Sequence, residues 1–92
     1  MHYTYVLRSK RDKKLYYGVT SDLRRRFWQH CFGLNKSTRF RRPLQLIYYE
    51  AYLHIDDAKA REVFLKSGRG REILKKHLTS YFRNYGGCSS AG

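Results

Sequence analysis

Three residue types, far apart along the chain, could together hydrolyse a phosphate ester. Tyr5 and Tyr16 lie in two aromatic segments, Arg26 follows in a helical segment, and Glu62 lies much further on. A phenol can exchange a proton with water, a guanidinium can bind two phosphate oxygens, and a carboxylate can bind a metal ion. The chain therefore holds the groups that a metal-assisted phosphodiesterase needs, provided that the fold brings them together.

The tyrosines also have a structural interpretation. Tyr3 and Tyr5 share one face of a predicted strand, and Tyr16 and Tyr17 lie on opposite faces of the next, as in a tyrosine-rich core. The chemical interpretation requires positive charge or a metal-bound water to lower the tyrosine pKa, since a phenol is a weak base. Gly18 inside the second strand marks a bulge or the close approach of another group, which indicates a surface facing a ligand.

Arg26 and His30 are four residues apart, so they project from the same side of a helix. A guanidinium there could bind a phosphate and oppose the charge that develops during hydrolysis. For their neighbours Arg24 and Arg25, the sequence favours a solvated, charged helix face. The sequence favours Arg26 with His30 as the chemical pair.

Glu62 falls in an apolar helical stripe with Ala58 and Leu65, which is unusual for a carboxylate. The alternative is an ordinary helical salt bridge with Lys59 or Lys66. A second apolar stripe on the same helix supports that alternative; it consists of Ala60, Val63 and Phe64. The sequence alone leaves the two interpretations open.

The scarcity of acidic residues restricts the metal chemistry. The chain has 7 Asp and Glu residues, whereas two-metal phosphoryl-transfer sites need several clustered carboxylates. Asp56 and Asp57 are better explained as a helix start. The composition favours one divalent ion, Mg²⁺ or Mn²⁺, held by a single carboxylate, waters and phosphate oxygens.

Positive charge is the strongest signal in the composition. The 92 residues include 20 Lys and Arg, which gives a formal net charge of +13. A compact fold with that charge either has a polyanion as partner or loses stability through self-repulsion. The sequence shows no long apolar run and no signal peptide. We therefore expect the polyanion to be nucleic acid and not a membrane, and we expect a cytoplasmic location.

Two basic segments are predicted to contact phosphates without reading bases, although a solvated surface would look the same. They are the loop at 34–43 and the glycine-rich segment at 68–71. With Gly18 and Lys66 added, the predicted nucleic-acid contacts are Gly18, Lys36, Ser37, Thr38, Arg39, Arg41, Arg42, Lys66, Arg69 and Arg71.

Residue patterns predict an α+β fold, with a small three-stranded antiparallel sheet flanked by helices in the order β-β-α-β-α-α. The predicted strands are 3–8, 15–20 and 44–52, and the predicted helices begin after Asp22, at Asp56 and near 70. Leu23, Phe27 and Cys31 form the apolar stripe of the first helix, and Gly33 ends it. Gly68 and Gly70 end the second helix near Lys66, and the third extends to about 83.

The predicted domain spans residues 1–83 and is followed by a disordered C-terminal tail at 84–92. Neither Cys31 nor Cys88 belongs to a disulfide framework or to a zinc site with about four closely spaced ligands, so both are predicted to be plain thiols.

In their order and spacing, several short motifs resemble the GIY-YIG nuclease superfamily. They are Tyr3-Thr4-Tyr5, Tyr16-Tyr17-Gly18, Asp22-Leu23-Arg24-Arg25-Arg26 and Glu62. The likeness is greatest to its small standalone bacterial members, which are similar to the N-terminal nuclease of the excinuclease C subunit. Segments at 37–43, 49–50, 61–62 and 65–68 also resemble that subfamily, and the likeness covers roughly residues 2–80.

The resemblance implies roles for individual residues. Tyr5 ends the first motif and Tyr16 opens the second, which Gly18 closes, and one of the two tyrosines is expected to help activate the attacking water. Arg26 matches the arginine that stabilises the scissile phosphate, His30 matches a position that is often histidine, and Glu62 matches the single metal-binding glutamate. The motifs depart from the family pattern at Tyr3, Thr4 and Tyr17, which replace glycine or isoleucine.

Together these features predict a metal-dependent DNA endonuclease that acts in DNA repair or processing. The alternative is a catalytically inactive nucleic-acid-binding module with the same fold. A third interpretation is a basic domain that binds RNA or another protein. DNA is the expected partner rather than RNA, and the small size indicates targeting by a dimer or a repair-protein partner.

Overall fold

The computed structural model describes residues 1–85, which form one antiparallel sheet of three strands together with four helices. The strands are His2–Ser9 (β1), Leu15–Thr20 (β2) and Leu44–Tyr52 (β3). The helices are Leu23–Cys31 (α1), Ile55–Lys66 (α2), Gly68–His77 (α3) and Thr79–Tyr85 (α4), and a short 3₁₀ turn, Arg39–Arg41, precedes β3. The predicted fold class is confirmed.

The strand β1 lies in the middle of the sheet, in the order β2-β1-β3, and it pairs antiparallel with both neighbours. Because side chains alternate along a strand, Tyr3, Tyr5 and Leu7 point to one face and Thr4 to the other. Tyr5 pairs with Gly18 of β2 and with Tyr49 of β3. The central strand therefore fixes Tyr5 between two flanking strands.

Helix α1 covers the Tyr5 face of the sheet. Its N-cap is Asp22, whose side chain accepts a hydrogen bond from the Arg25 amide, as predicted. Leu23 and Phe27 pack against the cluster of Tyr5, Leu7 and Leu44. The prediction that Cys31 belongs to this apolar stripe is wrong. Cys31 is an exposed free cysteine, and the neighbouring His30 is buried instead.

Helix α2 is attached to the sheet through backbone and side-chain bonds. Ala58 is completely buried, and its carbonyl accepts a 2.7 Å hydrogen bond from Thr4 Oγ1. Glu62 lies one turn later and is half-buried. The stripe of Ala58, Glu62 and Leu65 thus faces inward, whereas the alternative stripe is wrong because Ala60 and Val63 are exposed.

An ion pair between β3 and α2 holds the helix beside Glu62. Glu50 accepts hydrogen bonds from Arg61 Nε at 2.9 Å and Nη2 at 3.3 Å, and from the hydroxyls of Tyr48 and Tyr52. Burial raises the pKa of Glu50, but these donors outweigh burial and leave it below its ordinary value. The Glu50 carboxylate is therefore charged and hydrogen-bonded near neutral pH. Its partner Arg61 directly precedes Glu62 in the chain.

The chain divides into two compact units, Met1–Glu62 and the residues from Val63 onward. In the second unit, Ser67 caps α3 by accepting a hydrogen bond from the Gly70 amide. Gly70 does not break a helix as predicted but lies in the first turn of α3. The position has no room for a side chain, because a Cβ there would lie 1.9 Å from the Phe64 carbonyl oxygen. The single predicted helix at 70–83 is two helices, with Leu78 as the C-cap of α3.

Helix α4 extends to Tyr85, two residues into the segment predicted as tail. Residues 86–92 of that predicted tail, with Cys88, lie outside the described residues. Within residues 1–85 no helix is both long enough and apolar enough to cross a membrane.

The contact between Tyr5 and Gly18 gives a stability prediction. A Cβ at residue 18 would lie 2.3 Å from Tyr5 Oη and 2.4 Å from Cζ, and Tyr5 is only 5% exposed. We expect Gly18→Ala to lower the free energy of unfolding by roughly 1–3 kcal/mol, because a buried ring must move. Urea denaturation measures the change.

Gly68→Ala is the matched control, because nothing lies within 4 Å of a Cβ added there. It should leave stability unchanged or slightly raise it. Equal losses at both positions would mean that the Tyr5 contact is not what disfavours a side chain at residue 18.

Candidate active site

Tyr5 and His30 form a buried hydrogen-bonded pair. Tyr5 Oη lies 3.1 Å from His30 Nε2, and the rings meet edge to face with their centroids 5.9 Å apart. Tyr5 is 5% exposed and His30 is 4% exposed. The pair joins the central strand to α1, so both the sheet and the helix fix its geometry.

Thr38 completes this chain of hydrogen bonds. Its Oγ1 lies 2.6 Å from His30 Nδ1, and the residue is 2% exposed. Because the Tyr5 phenol is the better donor, we assign its proton to the bond with Nε2, which leaves the Nδ1 proton to Thr38. The predicted contact of Thr38 with nucleic acid is therefore corrected: the side chain is buried against the site histidine.

Charges from two distant parts of the chain act on the Tyr5 hydroxyl. Burial raises the pKa of Tyr5, the Arg26 charge opposes that rise, and the Glu62 carboxylate adds to it. Burial also lowers the pKa of His30, and Arg26 lowers it further. Since charge interactions weaken with distance, Tyr5, His30, Arg26 and Glu62 share one electrostatic environment.

The positive charge near Tyr5 does not by itself lower the pKa of that tyrosine. Burial outweighs the positive charge of Arg26, so the phenol keeps its proton near neutral pH. The lowered pKa of His30 leaves the imidazole neutral and able to accept a proton at Nε2. The pair therefore suits proton relay, in which Tyr5 gives up its own proton as it receives another.

Tyr16 belongs to a second cluster near the hairpin turn. Its hydroxyl donates to Asp12 Oδ2 at 3.2 Å, and Arg41 Nε lies 3.3 Å from the same oxygen. Burial raises the pKa of Tyr16, and the Asp12 charge and hydrogen bond raise it further. Tyr16 pairs with Leu7 in the sheet, two residues along β1 from Tyr5, so its bonds connect the turn to the basic loop.

A polar hollow of about 280 Å³ lies beside Arg26. It is lined by Thr20, Ser21, Asp22, Arg25, Arg26 and Gln29. The two arginines supply a high density of donors, and the Asp22 carboxylate caps α1 through the Arg25 amide. Planar guanidinium groups match the oxygens of a phosphate, so the hollow has the chemistry of a phosphodiester site.

The donor set suits a hydrated magnesium-type ion. Among residues 1–85, no group of three or more His, Cys, Asp or Glu side chains is placed to hold a metal. Glu62 offers one half-buried carboxylate in the electrostatic environment of Tyr5. Mg²⁺ keeps most of its waters and binds through one or two carboxylates and substrate phosphates, whereas zinc needs about four protein ligands.

The remaining predicted nucleic-acid contacts are exposed basic or polar residues, except for Gly18. The exposed ones are Lys36, Ser37, Arg39, Arg41 and Arg42 in the loop, and Lys66, Arg69 and Arg71 in the second unit. The group that closely approaches Gly18 is the Tyr5 ring of the same chain, which accounts for that glycine without a ligand. Contact of these residues with nucleic acid remains a prediction.

The sequence analysis assigned no role to Asp12, Glu50 or Arg61, and it gave Thr38 a different one. A signal existed for Glu50, because Tyr48 and Tyr52 flank it at a spacing of two on one face of β3. No local pattern indicated Thr38, since its bond with His30 joins a loop to a helix eight residues earlier.

Comparison with known proteins gives one consistent result. A family model described as the GIY-YIG catalytic domain matches residues 1–84. A UPF0213 protein of Streptococcus pyogenes serotype M5 is 40% identical over 80 residues, or 86% of each chain. One from Pediococcus acidilactici is 40% identical over 87 residues, covering 91% of this chain and 83% of the relative.

A solved relative has the same fold. The solution NMR structure of a UPF0213 protein from Bacillus halodurans aligns with a TM-score of 0.55 and 31% identity. The alignment covers 97% of this chain and 98% of that one. The architecture is thus shared with small proteins over nearly their full length.

The buried histidine predicts how stability varies with pH. Because folding lowers the pKa of His30 below 6.5, its contribution is complete above that pH and is lost as pH falls through the folded-state value. His30→Gln keeps hydrogen-bonding groups but cannot titrate. We expect the wild type to lose more stability than this variant between about pH 7.5 and about pH 5 in urea titrations.

His54→Gln is the control, because His54 is exposed in the same unit. Its pH dependence should follow that of the wild type. Parallel curves for the wild type and His30→Gln would show that His30 is not the neutral, buried group described above.

Proposed function

The chain belongs to the GIY-YIG family, whose catalytic-domain model matches residues 1–84, and we propose that it is a metal-dependent endonuclease that hydrolyses DNA phosphodiester bonds. The observation that supports this most strongly is the buried hydrogen bond between Tyr5 Oη and His30 Nε2, together with the polar hollow that Arg26 lines and the charges of Arg26 and Glu62 that act on Tyr5. These residues are far apart in sequence and belong to different elements. A phenol, a guanidinium and an acid around one point are the groups that phosphodiester hydrolysis requires.

Arg26 is the phosphate-binding group in this proposal. With Arg25 it lines the polar hollow beside the first turn of α1. Its guanidinium binds non-bridging oxygens of the scissile phosphate and offsets the negative charge that grows as water attacks phosphorus in line with the leaving oxygen. The half-buried position of Arg26 strengthens this effect, since solvent screens it less.

Tyr5 and His30 remove the proton from the attacking water. The neutral phenol oxygen accepts that proton while its own proton moves across the 3.1 Å hydrogen bond to His30 Nε2. Thr38 holds the imidazole in the required tautomer through Nδ1. Burial and Arg26 both disfavour a charged His30, so the imidazolium exists only while the phosphoryl group carries extra negative charge.

Glu62 is the residue that would hold the divalent ion, Mg²⁺ or Mn²⁺. Such an ion, when bound, stabilises charge on the phosphoryl oxygens. The ion pair of Arg61 with Glu50 anchors this part of α2 to the sheet. That anchoring fixes the position of the Glu62 carboxylate, whose charge acts on the Tyr5 hydroxyl.

DNA is the proposed substrate, and repair or processing of DNA is the proposed context. The net charge of +13 and the exposed basic loop provide attraction to phosphates along a strand. This attraction does not depend on base sequence.

Replacing the carboxylate tests the catalytic assignment. We expect Glu62→Gln to abolish cleavage of labelled DNA in Mg²⁺ or Mn²⁺ while the dissociation constant for DNA stays within about twofold, because phosphate contacts dominate affinity. Glu72→Gln makes the same change at an exposed position of α3 and should cut normally. Cleavage by Glu62→Gln at the wild-type rate would remove Glu62 from the mechanism.

The same assay separates the nuclease from an inactive binding module. A wild-type protein that binds DNA tightly but cuts none of a panel of single-stranded, flapped, branched and duplex substrates with either metal is a binding module. Competition with RNA at fixed salt identifies the preferred nucleic acid.

The basic loop predicts a steep dependence of binding on salt. The logarithm of the association constant should fall linearly with the logarithm of salt concentration, with a slope of about 0.9 per phosphate contacted on duplex DNA. Arg39→Gln should reduce the slope by about one, because the exposed guanidinium contacts one phosphate. A slope that is flat, or unchanged by this substitution, would place the DNA on another surface.

A further inference from the structure

A second hollow lies on the other side of α1 from Arg26, and its lining is aromatic. Its volume is about 430 Å³, within the range of small-molecule sites, which is about 300–1,000 Å³. Tyr3, Phe27, Leu46 and Tyr49 supply its apolar walls, and Asp22 and Arg24 supply its polar groups. We refer to it as the aromatic cleft.

We propose that the aromatic cleft binds an unpaired nucleobase of the strand whose phosphate lies at Arg26, so that the preferred substrate contains unpaired nucleotides. This inference rests on the proposed nuclease function and specifies its substrate class. The base is held by its flat face and by apolar contact, so its identity matters less than its freedom from pairing.

The two hollows adjoin at the start of α1. Asp22 lines both of them, Arg24 lines the aromatic cleft, and Arg25 and Arg26 line the polar hollow. Successive residues of one helical turn therefore face two different chemical environments. A nucleotide has two parts that correspond to these environments, a flat aromatic base and an anionic phosphate, joined by a sugar.

The rings of the aromatic cleft are arranged to receive a planar group. Tyr3 and Tyr49 meet edge to face, with their centroids 6.1 Å apart and their planes at 65°. Tyr49 remains 54% exposed and lines the aromatic cleft, so its ring is accessible to a ligand there. A tyrosine face stacks on any base, because every base has a π surface.

Only an unpaired base can enter at low energetic cost. A base in a duplex is stacked on both faces and bonded to its partner, so it must be extruded before it can occupy a cleft. Single strands, flaps, gaps and junction arms already present free bases. The aromatic cleft thus selects against intact duplex without any contact to the second strand.

The positive charge favours nucleic acid over a protein segment as the occupant. Arg24 lies in the wall of the aromatic cleft, and Arg25 and Arg26 lie next to it. An apolar peptide would gain nothing from these charges. A phosphate-linked base satisfies both the aromatic rings and the arginines.

Binding measurements with Glu62→Gln protein, which keeps DNA intact, test the inference. In this background Tyr49→Ala should weaken binding of a single-stranded oligonucleotide about 5-fold or more, because base–aromatic stacking is lost. Binding of fully paired duplex should stay within about twofold. Tyr49→Phe keeps the ring and should bind like its parent, as should Leu53→Ala, which removes an 80% exposed side chain outside the cleft lining.

A single-stranded oligonucleotide containing 2-aminopurine gives an independent readout on the wild-type chain in the absence of divalent metal. Its fluorescence should be quenched on binding, because the base stacks on Tyr49, and Tyr49→Ala should abolish the quenching. Circular dichroism and thermal unfolding confirm that the variant is folded.

The outcomes separate the two proposals. Unchanged single-strand affinity and unchanged quenching in Tyr49→Ala overturn the base-binding role, including the case in which the cleft serves a protein, while cleavage by the wild type can still stand. Equal weakening for single strands and duplex also overturns it, since the ring would then be a general contact. Selective weakening without any cleavage by the wild type supports the cleft and removes the nuclease.

Discussion

The Tyr5 hydroxyl reaches His30 only because residue 18 has no side chain. The Tyr5 ring lies over Gly18, which is its partner in β2, and any Cβ there would lie 2.3 Å from the phenol oxygen. The glycine thereby places a polar group of the central strand against α1, where His30 is its hydrogen-bond partner. His30 connects that oxygen to Thr38 through a second hydrogen bond. The charges of Arg26 and Glu62 both act on the same oxygen.

Burial and charge act in opposite directions at this oxygen, and burial prevails. A surface tyrosine near Arg26 would become more acidic, but burial raises the pKa of Tyr5, and the charge of Glu62 adds to that rise. His30 is neutral for the same reason, with burial acting on the opposite charge. Two neutral groups cost less to bury than ionised ones, and they can still exchange a proton along their hydrogen bond. The site is thus compatible with a fold of only 92 residues and a small core.

Local patterns predicted the elements well, whereas tertiary contacts determined what the patterns missed. Strand alternation and the Asp22 cap gave the sheet and the start of α1, because both signals are local. The sequence does not show which of the adjacent residues His30 and Cys31 is buried. His30 is the buried one because the hydroxyls of Tyr5 and Thr38 hydrogen-bond to its ring. The direction of the Tyr5 pKa change was also hidden, since burial is a property of the folded state and not of a motif.

In the proposed function, the first turn of α1 explains how a small protein selects its substrate. Arg24 lines an aromatic hollow and Arg26 a polar one, because residues two apart on a helix point about 200° apart. In the proposed function, a strand crossing this turn would place a phosphate on one side and a base on the other. That arrangement distinguishes paired from unpaired bases and reads no sequence, since stacking depends on a π face and not on a hydrogen-bonding pattern. Selection by DNA structure therefore requires no separate recognition domain, only the division of one helical turn between two surfaces.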